Sequence, residues 1–587
     1  MNEVPRSEYP RPNLVRDAWL SLNGEWDFAV DNDRCGEAQS FATEAPFTEK
    51  ITVPFCPESR LSGIGRTGFM NSVWYKRYVT LPESFKGKRV ILHIDACDYE
   101  TRVFVDGEYV GTHLGGYTSF SFDITDKISG PFAQIAIEAI DDTRSLSQMT
   151  GKQSMREESY GCFYTRTTGI WQSVWLEAVD KAHIVNYNVQ TDIENATATF
   201  TVRVSEAAFG GKIFASITYH GKPVGEAYTY IHADSVTLSA PLSEVHLWDV
   251  GQGELYDVRF EVWREDGSLA DSALGYFGMR TVAINREGMF INGRYVYGRF
   301  VLDQGFYPDG IYTAPTDEAL IADIENSMRL GFNGARLHQK VFEPRFLYHA
   351  DRLGYLVWGE MPNWGWDHVD GANIYGFLPE WLEAMDRDMM HPSIVGWCPL
   401  NETFWNDDPD HDQRMMRLIY DATRAKDPSR PTVINSGSMP CLDTSGKIIG
   451  CAFDVHEYEQ DPEKFKGIFS ELDSGIIREQ LHRRFKNPPI YDTEKSLFVS
   501  EYGGIAWVEE GEGWGYGKSV QTKDELLLRL KGLTDVLLDD PHIMGFCYTQ
   551  LTDVEQEKNG LLTYDRRFKF DPDKVAAIIA APSIKER

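Results

Sequence analysis

Two glutamates each follow a short apolar segment of the chain, and their residue type and placement would suit acid–base chemistry. Glu402 stands in the stretch PLNETFW, at the end of the apolar run 394–400, and Glu501 stands in FVSEYGG. Hydrolysis of a glycosidic bond needs two carboxyl groups: one protonates the leaving oxygen, and the other attacks the anomeric carbon or activates water. A hydroxyl of Ser500 or Tyr502 could help keep the neighbouring carboxylate ionised. The competing interpretation of each glutamate is a structural ion pair.

The second half of the chain predicts elements that would bring these two glutamates together. After about residue 290, apolar strands alternate with helical segments. The eight candidate strands cover residues 295–300, 333–338, 355–360, 394–400, 432–436, 453–458, 497–501 and 543–549. Eight β–α repeats predict a (β/α)₈ barrel, in which the active site lies at the C-terminal ends of the strands. Glu402 would then close strand four and Glu501 strand seven, nearly opposite each other across the barrel mouth.

The first half of the chain predicts two β-sandwiches. Short alternating segments such as WDFAV and TRVFVDGEYVG recur between turn residues, and Asp106-Gly107 is a hairpin signal. We therefore predict a jelly-roll sandwich in residues 1–180, an immunoglobulin-like sandwich in 181–282 and the TIM barrel in 283–587. The fold class is multidomain β plus α/β, and the length of 587 residues agrees with about three or four domains.

Composition and charge narrow the classes of partner. A net charge of −31 repels nucleic acid and anionic membranes, so we expect neither as a partner. The eight cysteines form no CxxC pair, and the N-terminus has no signal-peptide core, which favours a cytoplasmic protein with reduced thiols. No apolar run reaches the ~18 residues of a membrane span. No His/Cys cluster has metal-ligand spacing, so we expect no metal and no cofactor.

The glutamate motifs also carry a family resemblance. PLNETFW and FVSEYGG resemble the acid/base and nucleophile motifs of glycoside hydrolase family 2, the β-galactosidase and β-glucuronidase superfamily. Further agreement comes, in the family's order, from WLSLNGEWDF, GTHLGGYTSF, TTGIWQSVWLE, GFNGARLHQ and QLTDVEQEKNG. The resemblance covers essentially the whole chain. It implies that Glu402 is the acid/base, that Glu501 is the nucleophile of a retaining mechanism, and that Asn401 holds the sugar 2-hydroxyl. Relatives often form dimers or tetramers, which leaves a homo-oligomer open.

Other polar and aromatic residues near the strand ends, or in loops that could face them, are candidate substrate ligands. They are Arg336, His338, Lys340, Glu360, His456, Tyr458, Tyr548, Trp514, Arg166 and Lys558. For Arg336 we favour charge pairing with the nucleophile. Glu360 is equally compatible with a bond to a neighbouring barrel residue and with substrate contact. For the others, core packing or a solvated surface position is the competing interpretation. We expect the loop 150–170 to shape one wall of the pocket.

These observations predict a retaining exo-β-glycosidase that acts on β-D-galactosides or related β-hexosides, with a small carbohydrate as its partner. Glucuronidases of the family carry an Asn-x-Lys pair near the eighth strand, where this chain reads EKNG (557–560). A different carboxylate clamp, made by Lys340, Arg166 and Lys558, would make a β-hexuronidase (a β-galacturonidase or an atypical β-glucuronidase) the alternative. A catalytically silent carbohydrate-binding protein and a transglycosylase are alternatives of other kinds.

Overall fold

A computed structural model describes residues 4–403, 409–477, 491–508 and 511–587 of the chain. Antiparallel sheets occupy the first half, and a parallel sheet that curls into a barrel occupies the second half. The predicted fold class, multidomain β plus α/β, is therefore confirmed. Within the described ranges, no helix has both the length and the apolar character that crossing a membrane requires.

The strands before residue 180 form two antiparallel sheets and one short strand pair. The six-stranded sheet contains, in spatial order, Glu49–Val53, Gly24–Val30, Ser72–Thr80, Phe132–Ile140, Glu100–Val105 and Glu108–Leu114. The four-stranded sheet contains Trp19–Ser21, Val174–Val179, Arg89–Ile94 and Phe120–Asp123, and Cys97–Asp98 pairs with Gly169–Ile170. The predicted hairpin at Asp106-Gly107 is present, with φ angles of 48° and 81° that suit a tight turn between strands. Apolar side chains of both sheets, such as Trp26 and Leu176, form one buried core.

A second pair of antiparallel sheets follows. One contains Ile184–Asp192, Thr197–Val204 and Ser235–Pro241, and the other contains Lys222–Tyr230, Lys212–Tyr219, Tyr256–Trp263 and Leu269–Phe277. Alternate residues of the central strands, among them Phe200, Ile213 and Phe260, meet in a separate buried core. This two-sheet arrangement has the strand lengths and the packing of a small β-sandwich.

A small three-stranded antiparallel sheet closes the bottom of the barrel and corrects the predicted first barrel strand. It consists of Val282–Asn285, Gly288–Ile291 and Arg294–Val296. Residues 295 and 296 belong to the predicted barrel strand 295–300, but the Asn292-Gly293 turn, with φ angles of 53° and 73°, pairs them with the small sheet instead. The predicted strand 295–300 is therefore wrong in its boundary, and the first barrel strand begins at Gly298.

Eight parallel strands make up the barrel. They are β1 (Gly298–Asp303), β2 (Gly334–Leu337), β3 (Leu356–Glu360), β4 (Ile394–Cys398), β5 (Asn435–Ser436), β6 (Phe453–Glu457), β7 (Leu497–Gly503) and β8 (Ile543–Thr549). Seven of them form one sheet in the order β4-β3-β2-β1-β8-β7-β6. The short strand Leu400–Asn401 continues β4 and pairs in parallel with β5, which fills the gap between β4 and β6. All eight predicted strands are present, with boundaries that shift by a few residues.

Seven α-helices lie among the described residues. They are Asp317–Arg329, Pro344–Leu353, Ile374–Asp388, Pro409–Lys426, Pro462–Phe469, Lys523–Leu538 and Pro572–Ile579. Short 3-10 turns cover Arg60–Ser62, Glu83–Phe85, Thr125–Lys127, Glu206–Ala208, Gly371–Asn373 and Leu472–Ser474. The first helix begins where its sequence predicts, because the Thr316 hydroxyl accepts a hydrogen bond from the Ala319 amide at 3.2 Å.

Alternate residues of the barrel strands face either the lumen or the surrounding helices. Phe300, Trp358, Phe498 and Cys547 pack together inside the barrel. Their strand neighbours, such as Tyr548, belong to the outer core that contacts the helices. Since successive side chains of a strand point to opposite sides, this alternation decides which strand-end residues can reach the barrel mouth.

Candidate active site

Glu402 and Glu501 lie together at the mouth of the barrel, each at the C-terminal end of its strand. A carboxylate oxygen of each, together with a ring nitrogen of His456, forms a group in which all atoms lie within 4.8 Å of one another. The side chain of Glu501 is 7% exposed and that of Glu402 is 20% exposed. Two carboxyl groups at this separation, one deeply buried and one closer to solvent, can divide nucleophilic and acid–base roles between them.

The surroundings of Glu501 favour its ionised form. Arg336 Nη1 lies 3.2 Å from Oε1, and the Tyr458 hydroxyl donates to Oε2 at 2.5 Å. Burial alone would raise the pKa of Glu501, but the imidazole of His456 and the guanidinium of Arg336 lower it below its usual value. An ionised carboxylate held by two donors on opposite oxygens is oriented for nucleophilic attack.

Glu402 occupies a different environment. His456 Nδ1 lies 2.7 Å from its Oε1, and the Glu402 amide donates to the Ser436 carbonyl at 2.8 Å. The backbone of Glu402 adopts a φ of 45°, which is uncommon for a residue other than glycine. Strain of this kind is often found at functional positions, where the surrounding structure holds a side chain in one orientation.

Asn401, the residue before Glu402, is held with its amide nitrogen available. Arg336 Nη2 donates to Asn401 Oδ1 at 2.5 Å, and because a guanidinium has only donors, the amide oxygen must face it. The Nδ2 atom is buried and has no hydrogen-bond partner in the part of the chain that the structure describes. An unused donor beside the carboxylate pair is suited to a sugar hydroxyl.

Glu360 and His338 support Arg336. Glu360 Oε2 accepts from Arg336 Nε at 2.7 Å, and its Oε1 lies 2.9 Å from His338 Nδ1. Burial alone would raise the pKa of Glu360, but Arg336 and His338 lower it to about 2. The structure thus pairs Glu360 with neighbouring barrel residues, one of the two interpretations that the sequence left open, and Arg336 contacts the predicted nucleophile as expected.

Lys340 and Arg166, two of the three lysine and arginine candidates for a carboxylate clamp, are engaged elsewhere. The Lys340 ammonium donates to the carbonyls of Gly305 and Tyr312 at 2.6 and 2.7 Å, and burial lowers its pKa to about 7. The Arg166 guanidinium donates to the carbonyls of Arg156 and Thr67 in the N-terminal sandwich. Both side chains are buried, and backbone carbonyls, not residues of the glutamate pair, are their hydrogen-bond partners.

Lys558 and Trp514 belong to loops at the rim of the site. The backbones of these two residues pair, with the Lys558 amide donating to the Trp514 carbonyl at 2.7 Å. Trp514 Nε1 donates to the Gly161 carbonyl at 2.7 Å, so this ring connects the barrel to the N-terminal sandwich. Both side chains are half-buried. The segment 509–518 that carries Trp514 is described only from residue 511 onward.

The structure places the Tyr548 side chain away from the barrel mouth, for a reason of strand register. Its side chain belongs to the outer core, and its hydroxyl is buried without a hydrogen-bond partner among the described residues. The next residue, Thr549, faces the mouth instead, where its hydroxyl lies 3.0 Å from that of Tyr458. A shift of one residue along a strand moves a side chain to the opposite face of the sheet.

Lys152 is a residue near the glutamate pair that the sequence did not single out, although it lies in the 150–170 loop that we expect to shape one wall. It is 6% exposed, and its Nζ lies 4.7 Å from the centre of the Trp364 ring. Trp364 Nε1 in turn donates to the Asn401 carbonyl at 3.0 Å. No motif marks this lysine, because its neighbours in the site come from the barrel and are distant in sequence.

One group of side chains could also accommodate a metal ion by distance alone. In the described ranges it is the same Glu402, His456 and Glu501 group. Arg336 places a fixed positive charge against Glu501, which opposes a cation at this position. The absence of a metal stays a prediction.

Two family models match the N-terminal half of the chain. The model for glycosyl hydrolases family 2 matches residues 182–280, and the sugar binding domain model of the same family matches residues 19–178. The N-terminal half of the chain therefore carries two domains of glycosyl hydrolases family 2. Together with curated relatives named β-galactosidase and β-glucuronidase, these matches indicate a glycosidase.

Curated relatives of this chain carry two activity names. A β-galactosidase of Thermoanaerobacter pseudethanolicus is 28% identical over 381 residues, which cover 61% of this chain and 48%, about half, of the relative. A β-glucuronidase of Paenibacillus borealis is 22% identical over 600 aligned positions, which cover 96% of each protein. Among solved structures, a Lactobacillus rhamnosus β-glucuronidase superposes with a TM-score of 0.80 at 19% identity, covering 98% of this chain and 99% of the other. At 19% identity, the structural match shows a shared fold and nothing further.

Proposed function

We propose that this glycosidase is a retaining exo-β-glycosidase whose preferred substrates are neutral β-hexosides, with β-D-galactosides first. The observation that carries the proposal is the group of oxygens from Glu402 and Glu501 within 4.8 Å. Carboxyl groups of retaining enzymes lie about 5–5.5 Å apart, whereas inverting enzymes need about 6.5–9.5 Å to admit a water molecule.

The proposed reaction has two steps. In the first, Glu501 attacks the anomeric carbon while protonated Glu402 gives its proton to the leaving oxygen, which produces a covalent glycosyl ester and a free aglycone. In the second, ionised Glu402 takes a proton from a water molecule as the water oxygen attacks the anomeric carbon. Glu501 departs as a carboxylate. Asn401 Nδ2 would donate to the sugar 2-hydroxyl in both steps.

The preference for a neutral sugar is supported by Glu557. This carboxylate replaces the asparagine of the glucuronidase pair and is 2% exposed, where it accepts hydrogen bonds from the Tyr164 hydroxyl and Asn559 Nδ2 at 2.6 and 2.9 Å. Burial raises the pKa of Glu557 above its usual value, although the charge of Lys152 and the hydrogen bonds from Tyr164 and Asn559 oppose this rise. A buried carboxylate beside the site repels a uronate carboxylate.

A β-hexuronidase is the second candidate function, and one observation favours it. Lys152 brings a buried ammonium toward the carboxylate pair, and a positive charge could bind a uronate. Several relatives are also named β-glucuronidase. The opposing charge of Glu557 makes this the weaker candidate.

A panel of nitrophenyl β-glycosides tests the proposal: galactoside, glucoside, mannoside, glucuronide and galacturonide. We expect the wild type to cleave the galactoside best and Glu501→Gln to lose more than about 10³-fold in kcat. A 2-deoxy-2-fluoro glycoside of the preferred sugar should leave a covalent adduct on Glu501, visible as a mass increase of one glycosyl unit.

Glu402→Gln serves as the matched control, because the two variants should fail differently. Loss of the acid should cost about 10²–10⁴-fold on substrates with poor leaving groups. A dinitrophenyl glycoside, whose leaving group needs no proton, should be far less affected in its first step. Cleavage confined to uronides would reject the neutral-hexoside proposal, and product with inverted anomeric configuration would reject the retaining mechanism.

A further inference from the structure

Lys152 is held by a loop of the N-terminal sandwich that docks on the barrel. The amides of Thr150 and Gly151 donate to the Trp364 carbonyl at 2.8 and 3.0 Å, and the Lys152 carbonyl accepts from the Tyr164 amide at 2.7 Å. The backbone on both sides of the lysine is therefore fixed against its neighbours. Its side chain has little freedom to leave the position over the Trp364 ring.

Lys152 is 6% exposed, and its ammonium has no protein acceptor in the described part of the chain. Within the described residues it makes no hydrogen bond and no ion pair, and its recorded contact is the cation–π contact with Trp364. By comparison, the buried lysines Lys76 and Lys340 each donate to backbone carbonyls. The three N–H donors of this ammonium are therefore available to a ligand or to water.

The charges that face Lys152 are those of the proposed active site. Burial alone would lower the pKa of Lys152, but negative charge nearby raises it above its usual value. In decreasing order of effect, the groups responsible are Cys162, Glu557, Glu501 and Glu402. Three of these four groups are carboxylates from the barrel. The Trp364 ring beneath the ammonium also donates to the carbonyl of Asn401, the residue before Glu402, so Lys152 lies on the side of the proposed catalytic pair.

We propose that Lys152 is a substrate-binding residue, contributed by the N-terminal sandwich, that donates a hydrogen bond to a hydroxyl oxygen of the sugar held between Glu402 and Glu501. This inference rests on the proposed function and adds to it. The charge of Glu557 also acts on Lys152, so an ammonium and a carboxylate together offer one strong donor and one strong acceptor. That combination suits the hydroxyl groups of a neutral pyranoside, each of which donates and accepts.

Lys152→Met tests the proposal, because methionine keeps the apolar stem over Trp364 and removes only the ammonium. The kinetic constants are measured for the preferred glycoside and for its 2-, 3-, 4- and 6-deoxy analogues. We expect kcat/KM of the parent glycoside to fall about 10- to 100-fold, the range for a hydrogen bond to a charged group. The loss should shrink to within about threefold on the one analogue that lacks the bound hydroxyl.

Lys76→Met is the matched control. Lys76 belongs to the same sandwich, is buried, and lies 4.2 Å from the centre of the Phe47 ring, but its ammonium donates to the carbonyls of Phe41, Thr43 and Ala45. The control should lower the melting temperature and leave kcat/KM unchanged. Lys152→Met should lower kcat/KM and leave the melting temperature unchanged. An equal loss on every deoxy analogue, or no loss on any, would assign Lys152 to domain docking and overturn the proposal.

A binding measurement separates failure of this inference from failure of the proposed function. Methyl glycosides of the panel sugars are titrated calorimetrically into Glu501→Gln and into the double variant with Lys152→Met. We expect the added change to weaken binding at least tenfold. If the wild type cleaves no glycoside but this difference persists, the function is wrong and the binding role of Lys152 stands. Equal affinity of the two variants, or no binding to either, would overturn the role of Lys152.

Discussion

Glu501 accepts hydrogen bonds from Arg336 and Tyr458, whereas Glu402 is bonded to His456 and keeps more of its side chain exposed. Identical side chains can take different roles when their surroundings shift their protonation in different ways. The donors around Glu501 hold it ionised, as a nucleophile requires. The contrast between the two environments therefore supports the assignment of roles that the motif resemblance implies.

Tyr458→Phe should slow the reaction and move its pH dependence. The Tyr458 hydroxyl donates to Glu501 Oε2 at 2.5 Å, and a donor to a carboxylate stabilises its charged form. Its loss should raise the pKa of Glu501, so the acidic limb of the kcat/KM profile should move to higher pH. We expect a decrease in kcat/KM of about tenfold or more at neutral pH.

Tyr502→Phe is the control for this change, because the two tyrosines face opposite sides of the barrel wall. The Tyr502 hydroxyl lies 2.8 Å from the Thr534 hydroxyl, in the outer layer next to a helix. Its loss should cost about 1 kcal/mol of stability and leave the pH profile in place. An acidic limb that stays fixed in Tyr458→Phe would contradict the proposed role of that hydroxyl.

At the scale of strands and loops, apolar runs that end in polar residues could be predicted from the sequence, and all eight barrel strands are present. The exact strand ends could not be predicted, and neither could the side of the sheet to which each terminal side chain points. Tyr548 and Thr549 show this, because the side depends on the register with neighbouring strands. The Asn292-Gly293 turn did carry a readable hairpin signal. Lys152 carried none, since its position depends on how a sandwich loop docks against the barrel.

Gly151→Ala should displace that loop. Gly151 has a φ of 55°, and an added Cβ would lie 2.3 Å from the Gln339 carbonyl oxygen and 3.0 Å from Pro362 Cβ. Backbone strain and the clash together should cost about 3 kcal/mol or more. Because Lys152 and Trp364 would move with the loop, kcat/KM should fall about tenfold or more.

Gly161→Ala provides a comparison within the same segment. Gly161 has a φ of 53°, but an added Cβ would meet no atom within 4 Å. Backbone strain alone should cost about 1 kcal/mol, with kcat/KM close to that of the wild type. Urea unfolding and steady-state kinetics measure both effects. Equal kinetic losses in the two variants would show that loop docking at Gly151 has no special importance for the site.

At the scale of the whole molecule, buried ion pairs connect the regions that build the site. Arg16 joins the two sandwiches, with Nη1 2.9 Å from Glu177 and Nη2 2.7 Å from Asp271. Arg6 connects the N-terminal segment to the barrel through Glu343 at 2.6 Å. These pairs hold the sandwich that carries Lys152 at a fixed distance from the barrel that carries the glutamates.

Arg16→Met should lower stability and leave activity nearly unchanged, whereas Lys152→Met should lower activity and leave stability unchanged. Removing one partner of a buried ion pair leaves an uncompensated charge, which costs about 3–5 kcal/mol. We expect the lower end of this range, because Glu177 keeps Arg11 at 2.9 Å and Asp271 keeps the Ile184 amide at 2.9 Å. The midpoint of urea unfolding should fall, while kcat/KM at 25 °C should stay within about twofold of the wild type.

Arg60→Ala is the surface counterpart of this variant. Arg60 pairs with Asp309 of the barrel, and the two side chains are 75% and 50% exposed, so its loss should cost no more than about 1 kcal/mol. If Arg16→Met instead lost activity in proportion to stability, the packing of the two sandwiches would itself shape the pocket. The contribution of Lys152 would then have to be measured in a variant that keeps this packing. Lys152→Met meets this condition if its stability equals that of the wild type.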